Sequence, residues 1–282
     1  MTRRSSPRSI APVGDVPAAS AAGPANATRV AGGNRVEHIM GTAISFDLRG
    51  TAISPAAVDA AFDHLRDVDA RFSPFIETSE ISRLGRREIT LEDCSIDVQD
   101  VLRRCEELRV LTNGFFDIRR HRADGRVDPS GYVKGWAVEA AAAILDAAGA
   151  TSYCFNAGGD VIARGEPEPG RTWRIGIRHP EFADRVAAVI EARDAAVATS
   201  AAYERPGHIV DPHRGRPPVG ILSVTVVGPS LATADAYATA AFAMGAGGLA
   251  WLAGRTGYEG LAIGVDQRVT WTPGFERYRA RP

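Results

Sequence analysis

The chain has 282 residues, 45% of them hydrophobic, and a formal charge of -1. It is long enough to bury a full core and carries no bias toward nucleic acid or an acidic membrane surface, which sets aside a basic-patch binder. No apolar run approaches the roughly 18 residues of a membrane span, and the N-terminus lacks the unbroken apolar segment of a signal peptide, so a soluble cytoplasmic protein is expected. The cysteines, Cys94, Cys105 and Cys154, are odd in number and lack Cys-x-x-Cys spacing, and they read as reduced thiols rather than a disulfide frame or zinc site.

In chain order, residues 1–34 are rich in Ala, Pro, Ser, Gly and Arg, and predict a disordered tail. A strand over 36–48 is interrupted by Met40-Gly41-Thr42, and 55–72 carries Val58, Ala61, Phe62, Leu65 and Val68 at helical spacing. In the loop that follows, Thr78 or Ser79 can cap a short helix. Residues 95–112 form a longer helix, with Val98, Val101, Leu102, Cys105, Leu108 and Leu111 on one face and Asn113-Gly114 as its stop. Phe115, Phe116 and Asp117 come next, either as core filling or as a ligand shelf beside a carboxylate.

Of the 33 basic residues Lys134 is the only lysine. It suits a place where a compact ammonium fits and a planar guanidinium does not, unless it is a chance lysine in an arginine-biased chain. Residues 128–135 bracket it with Gly131 and Gly135 and open a helix through Val138, Ala142, Leu145 and Ala148. Glycines at a helix start let backbone approach a ligand, and the helix N-terminus favours an anion; turn geometry alone accounts for them equally well.

Short strands follow at 153–156, 161–164, 173–178, 186–192 and 196–200, with Gly158-Gly159-Asp160 as a turn; their spacing predicts antiparallel pairing. His208 precedes an Asp-Pro turn. The stretch 221–245 reads as a strand, a sharp turn, a helix beginning near Ser230 and a stop at Gly245. Asp235 lies beyond the first helical turn, where acids usually settle, and Thr239 shares its face. The pair suits a hard cation such as Mg2+, which favours one or two carboxylates plus substrate phosphate; the alternative is a solvated acid on an amphipathic helix. A helix near 248–253 and strands near 261–265 and 269–272 close the chain, so one α+β domain over 35–282 is expected. P-loop and dinucleotide fingerprints are absent, as is a nucleophile elbow.

Eight segments in order carry a resemblance: Met40-Gly41-Thr42, 79–84, Gly114-Phe115-Phe116-Asp117, 128–135 with Ala137-Val138, Asn156-Ala157-Gly158-Gly159-Asp160, Ala198-Thr199-Ser200, 208–212, and Ala234-Asp235 through Thr239. Over about residues 37–275 the chain resembles the ApbE-type FAD:protein FMN transferases. The resemblance implies an α+β domain with antiparallel-rich sheets and packed helices, which binds FAD as substrate with Mg2+. It implies transfer of FMN through a phosphoester bond to a Ser or Thr of a flavin-acceptor protein, with release of AMP. By that resemblance Gly131, through its carbonyl, Asp235 and Thr239 hold the metal. Met40, Phe75, Phe115, Phe116, Asp117, Asp128, Lys134 and Val210 contact FAD, and His208 is the catalytic base, an imidazole whose unperturbed pKa near about 6.5 suits that role. A histidine hydrogen-bonded at the turn is the alternative for His208.

The chain departs from the family pattern in four ways: Phe75 stands for a Tyr, Pro129-Ser130 replace the usual residues before Gly131, Ala238 occupies the place of a third metal carboxylate in some members, and the segment from Asp117 to Asp128 is short. Competing readings are an FAD pyrophosphatase, a flavin-binding protein without turnover, and a non-flavin α+β interaction domain.

Overall fold

Two residues set the first hairpin. In the computed structural model, which describes residues 33–50, 53–119, 127–182, 184–202 and 209–280, strand β1 (Asn34–Ile39) pairs antiparallel with β2 (Thr42–Leu48), Ile39 facing Thr42. The intervening Met40 and Gly41 both have positive φ, 55° and 70°. That is the two-residue turn whose twist matches a right-handed strand pair. The expected break at Met40-Gly41-Thr42 is therefore a tight reversal. β1 starts at Asn34, one residue inside the stretch expected as tail; residues 1–32 lie outside the described residues.

Helix α1 (Pro55–Phe72) follows, capped by the Ser54 side chain, with the anticipated apolar face buried. Ser79 caps the short α2 (Glu80–Gly85), its Oγ accepting from Ser82 N at 3.0 Å. α3 (Ile96–Leu111) buries Val98, Val101, Cys105 and Leu108. Leu111, expected on the same face, is exposed because the helix ends there and Asn113 and Gly114 turn away at positive φ. α4 (Ser130–Ala147) carries Lys134.

Strands β3 (Tyr153–Ala157) and β4 (Asp160–Arg164) form a hairpin across Gly158-Gly159. β5 (Trp173–Arg178) and β6 (Val186–Ala192) make a separate two-stranded ribbon. β7 (Ala195–Ala201), β8 (Ile221–Gly228), β9 (Glu259–Gly264) and β10 (Val269–Trp271) complete the main sheet. Its order is β1-β2-β3-β4-β7-β8-β9-β10, and every pairing among the described residues is antiparallel, as the strand spacing predicted.

Side-chain alternation sends each central strand into two cores. Ile162, Ala196, Ala198, Val224, Val226 and Ala262 pack beneath the helices. Their neighbours Val161, Ala163, Val197, Val227, Leu261 and Ile263 pack with Trp173, Ile175 and Ile177 of the ribbon. Period-2 burial on both faces is what a sheet covered on both sides requires.

The helix α5 (Leu231–Ala243) is buried along its whole length, among α4, α6 (Gly248–Leu252) and strands β7 and β8. Apart from Asp235 its surface is Ala, Leu, Tyr, Phe and Thr, and a helix so largely apolar all round belongs inside. Ser230 caps it, Oγ accepting from Thr233 N at 3.2 Å. Glu139 of α4 adds a second cap by accepting from the Leu231 N–H. Its carboxylate faces the positive end of the helix dipole. Replacing Ser230 with alanine should cost about 1 kcal/mol, or about 2 to 4 °C in melting temperature for a chain of this size. Differential scanning calorimetry checks it.

All three cysteines are free. Burial pushes the Cys105 and Cys154 thiols up to about 12 and raises Cys94 as well, which disfavours their thiolates. Among the described residues no helix is long and apolar enough to cross a membrane.

Candidate active site

A cleft of about 1090 Å³ opens where the β1–β2 turn, the end of α1, the start of α4, the β3–β4 turn, the ribbon and α5 meet. That volume lies just above the usual range for small-molecule and cofactor sites, about 300 to 1,000 Å³. Its walls combine Met40, Phe72, Phe75, Phe116 and Ile177 with Asp128, Gly131, Lys134, Ser200, Asp235 and Thr239.

Asp235 is only 4% exposed and Thr239 6%, one helical turn apart on α5. The solvated acid is excluded. Facing them, the first turn of α4 brings Gly131 so near that a Cβ there would lie 3.1 Å from Thr239 Oγ1 and 3.5 Å from the Phe116 ring. Glycine is favoured by that approach, since a side chain there would have to push Thr239 aside, and not by its own φ, which is unremarkable. Ser200 Oγ of β7 lies 3.3 Å from Thr239 Oγ1.

A cradle of one buried carboxylate, a hydroxyl and a close-lying main chain fits a small oxygen-seeking cation that keeps positions for a ligand's phosphate. Among the described residues no three His, Cys, Asp or Glu side chains cluster, so a cation held here would rely on this mixed donor set.

The α4 start is shaped by Asp128, whose Oδ1 accepts from Ser130 N at 3.1 Å and from Ser130 Oγ at 2.5 Å. Burial raises the Tyr132 phenol, which stays neutral beside Arg104. Lys134 reaches the cleft while its ammonium pairs with Asp160. Met40, held at positive φ, donates its N–H to Asp69 at 3.1 Å and presents its side chain to the cleft.

Eight of the anticipated positions thus converge: Met40, Phe75, Phe116, Asp128, Gly131, Lys134, Asp235 and Thr239. Phe115, Asp117 and Val210 are not among the lining residues. Phe115 sits edge-on to His213 with ring centroids 4.6 Å apart, Asp117 accepts from Arg119 N at 2.9 Å, and the lining position next to Val210 is Ile209. His208 lies outside the described residues. Thr199, Ser200 and Asp160 lie within the segments that carry the family resemblance, but not at its site positions. Asp69 of α1 and the ribbon residues Gly176, Ile177 and Arg178 had no sequence signal, because neither helical nor strand periodicity says which cleft an element's edge reaches.

The chain is thus an α+β protein whose cleft joins an acid-hydroxyl helix face, a glycine-lined helix start and aromatic walls. The ApbE family model matches residues 40–123 and 118–262, and the chain belongs to the ApbE family. An FAD:protein FMN transferase of Vibrio cholerae is 39% identical over 129 residues, 42% of this chain and 39% of that protein. An Escherichia coli protein of the same name is 29% identical over 177 residues, 57% of this chain and 50% of its own length. The chain thus spans half or less of these curated relatives. Among solved structures, the flavin transferase ApbE from Vibrio cholerae superposes with a TM-score of 0.76 at 24% identity, covering 87% of this chain and 98% of that one. An ApbE protein from Thermotoga maritima gives 0.79 at 21%, covering 88% and 99%. These likenesses establish the α+β fold anticipated above.

Proposed function

We propose that the chain is a Mg2+-dependent FAD:protein FMN transferase, which attaches FMN from FAD to a Ser or Thr of an acceptor protein and releases AMP. The observation that carries this reading is the convergence of Gly131, Lys134, Asp235 and Thr239 on one cleft with aromatic walls. The names of the curated relatives support the choice of substrate.

Asp235, Thr239 and the Gly131 carbonyl would hold Mg2+, which when bound neutralises charge on the diphosphate. Lys134 adds a fixed ammonium from α4, so the added negative charge of phosphoryl transfer meets groups already in position. Phe75, Phe116 and Met40 offer apolar surface to the flavin. Phe115, Asp117, Asp128 and Val210 are assigned to FAD through the family resemblance, and His208 to proton removal. In the transfer the acceptor oxygen bonds to the phosphorus of the FMN half. The bond from that phosphorus to the bridging oxygen breaks, AMP leaves with the electron pair, and the hydroxyl proton passes to the base.

The chain incubated with FAD, Mg2+ and a co-expressed candidate acceptor should yield a fluorescent protein band on a denaturing gel and AMP in equal amount. A chelator should reduce both to background. AMP formed without a labelled protein would overturn transfer in favour of FAD hydrolysis. Tight FAD binding without AMP would leave a flavin-binding protein.

A further inference from the structure

We infer that Asp160 is a positioning residue for this site, acting through Lys134 and through the Thr199–Ser200 end of β7. The inference rests on the transferase reading above. Asp160 opens β4 and is 1% exposed. It does not line the cleft, yet both of its partners do. One carboxylate oxygen, Oδ1, accepts from Thr199 N at 3.1 Å, and the other, Oδ2, pairs with the Lys134 ammonium.

A carboxylate so completely removed from water is costly unless paired and hydrogen-bonded, and the fold meets both conditions with groups from two other elements. The β4 register accounts for its direction. Ile162 packs on the helical side and Val161 on the ribbon side, so Asp160, in step with Ile162, faces α4 and α5.

The two partners matter because of where they lead. Lys134 carries the ammonium assigned to the diphosphate. Thr199 is followed by Ser200, whose Oγ lies 3.3 Å from Thr239 Oγ1, on the side assigned to the metal. One buried acid therefore sets the ammonium and the hydroxyl pair at a fixed separation. Its geometry also accounts for the lone lysine of an arginine-rich chain: a compact ammonium can bind one carboxylate oxygen and still point donors at a ligand, whereas a planar fork would tend to grip both oxygens.

A pin that merely staples α4 to β4 would give the same ion pair, so the test has to separate the two. Asp160→Asn keeps the shape and an oxygen for Thr199 N but removes the charge that aims Lys134. With FAD, Mg2+ and acceptor, its kcat should fall about 10- to 100-fold, the range for partners that orient a ligand-binding group, while the KM for FAD stays within about threefold. Because Asp160 acts through Lys134, Lys134→Met and the double variant Lys134→Met/Asp160→Asn should have the same kcat to within about twofold.

A staple predicts instead an unchanged kcat per folded molecule, with the loss confined to the melting temperature, and that result overturns the inference. Should Asp160→Asn fail to fold, Asp160→Glu, which keeps the charge but displaces it by one methylene, should show reduced kcat with normal FAD affinity; wild-type kcat there would equally overturn it. If the wild-type chain labels no acceptor, the transferase reading falls and this inference with it. If wild type labels and Asp160→Asn labels equally fast, only the inference falls.

Discussion

Asp235→Ala is expected to abolish flavin transfer, with a loss of about 10³-fold or more, because it removes the single carboxylate of the proposed metal cradle. The donor set at this position is small. Thr239 and the Gly131 main chain are neutral, and Ala238, which follows Asp235 by three residues, brings no second acid. Asp235→Asn is the sharper variant, since it keeps volume and hydrogen-bonding capacity in a site only 4% exposed. It should melt within a few degrees of wild type while losing activity almost as fully. Thr239→Ala removes a neutral donor and should cost about tenfold to hundredfold, in line with the loss of a supporting ligand contact. Two measurements check this ordering: the rate at which the acceptor band appears, and the rise in melting temperature on adding Mg2+ with FAD. Wild type should show both and Asp235→Asn neither. Normal labelling by Asp235→Ala would remove the metal assignment altogether.

The parts of this site that were readable in the sequence are those where one residue contradicts its surroundings. Asp235 in an alanine-rich helix and one lysine among arginines stand out because local propensity does not explain them, and both line the cleft. Helix boundaries were readable for the same local reasons: Ser79 and Ser230 cap, and Asn113-Gly114 and Gly245 stop. What could not be read was assembly. Nothing in the spacing of β5 and β6 says that they leave the main sheet and form a ribbon over its second face. Nor does it say that Gly176, Ile177 and Arg178 thereby reach the cleft. Asp160 was visible only as the end of a turn. Its burial depends on α4 and β7 arriving from positions 26 residues before and 39 after it, a long-range coincidence that local pattern does not encode. The choice between a solvated and a buried Asp235 was of the same kind, since it turned on α4 and α6 packing against the helix that carries the acid.

Gly135→Ala is expected to damage activity and stability together. A Cβ at position 135 would sit 2.7 Å from Ala232 Cα and from Leu231 O, and 2.8 Å from Ala232 N. All three are backbone atoms of the first turn of α5, so no side chain can swing aside and the helices must separate. Forced overpacking of this kind costs about 3 kcal/mol, which for a chain of this length corresponds to a drop of about 6 to 12 °C in melting temperature. The functional consequence follows from what the same crossing carries. Glu139, one turn further along α4, caps α5 at Leu231. Gly131, one turn earlier, faces Thr239, and Lys134 is the adjacent residue. Moving α4 off α5 therefore weakens a helix cap and widens the gap between the Gly131 main chain and the Asp235–Thr239 face in one displacement. Transfer should fall well beyond the loss of folded protein when assayed below the new melting temperature, and added Mg2+ should recover part of it by drawing the two helices back together. Gly149→Ala makes the contrast, because a Cβ there meets nothing within 4 Å. Any loss there reflects only the strain of its positive φ, and should appear in the melting temperature without a change in turnover. Equal turnover losses at the two glycines would mean that the closeness of α4 to α5 is a matter of packing alone.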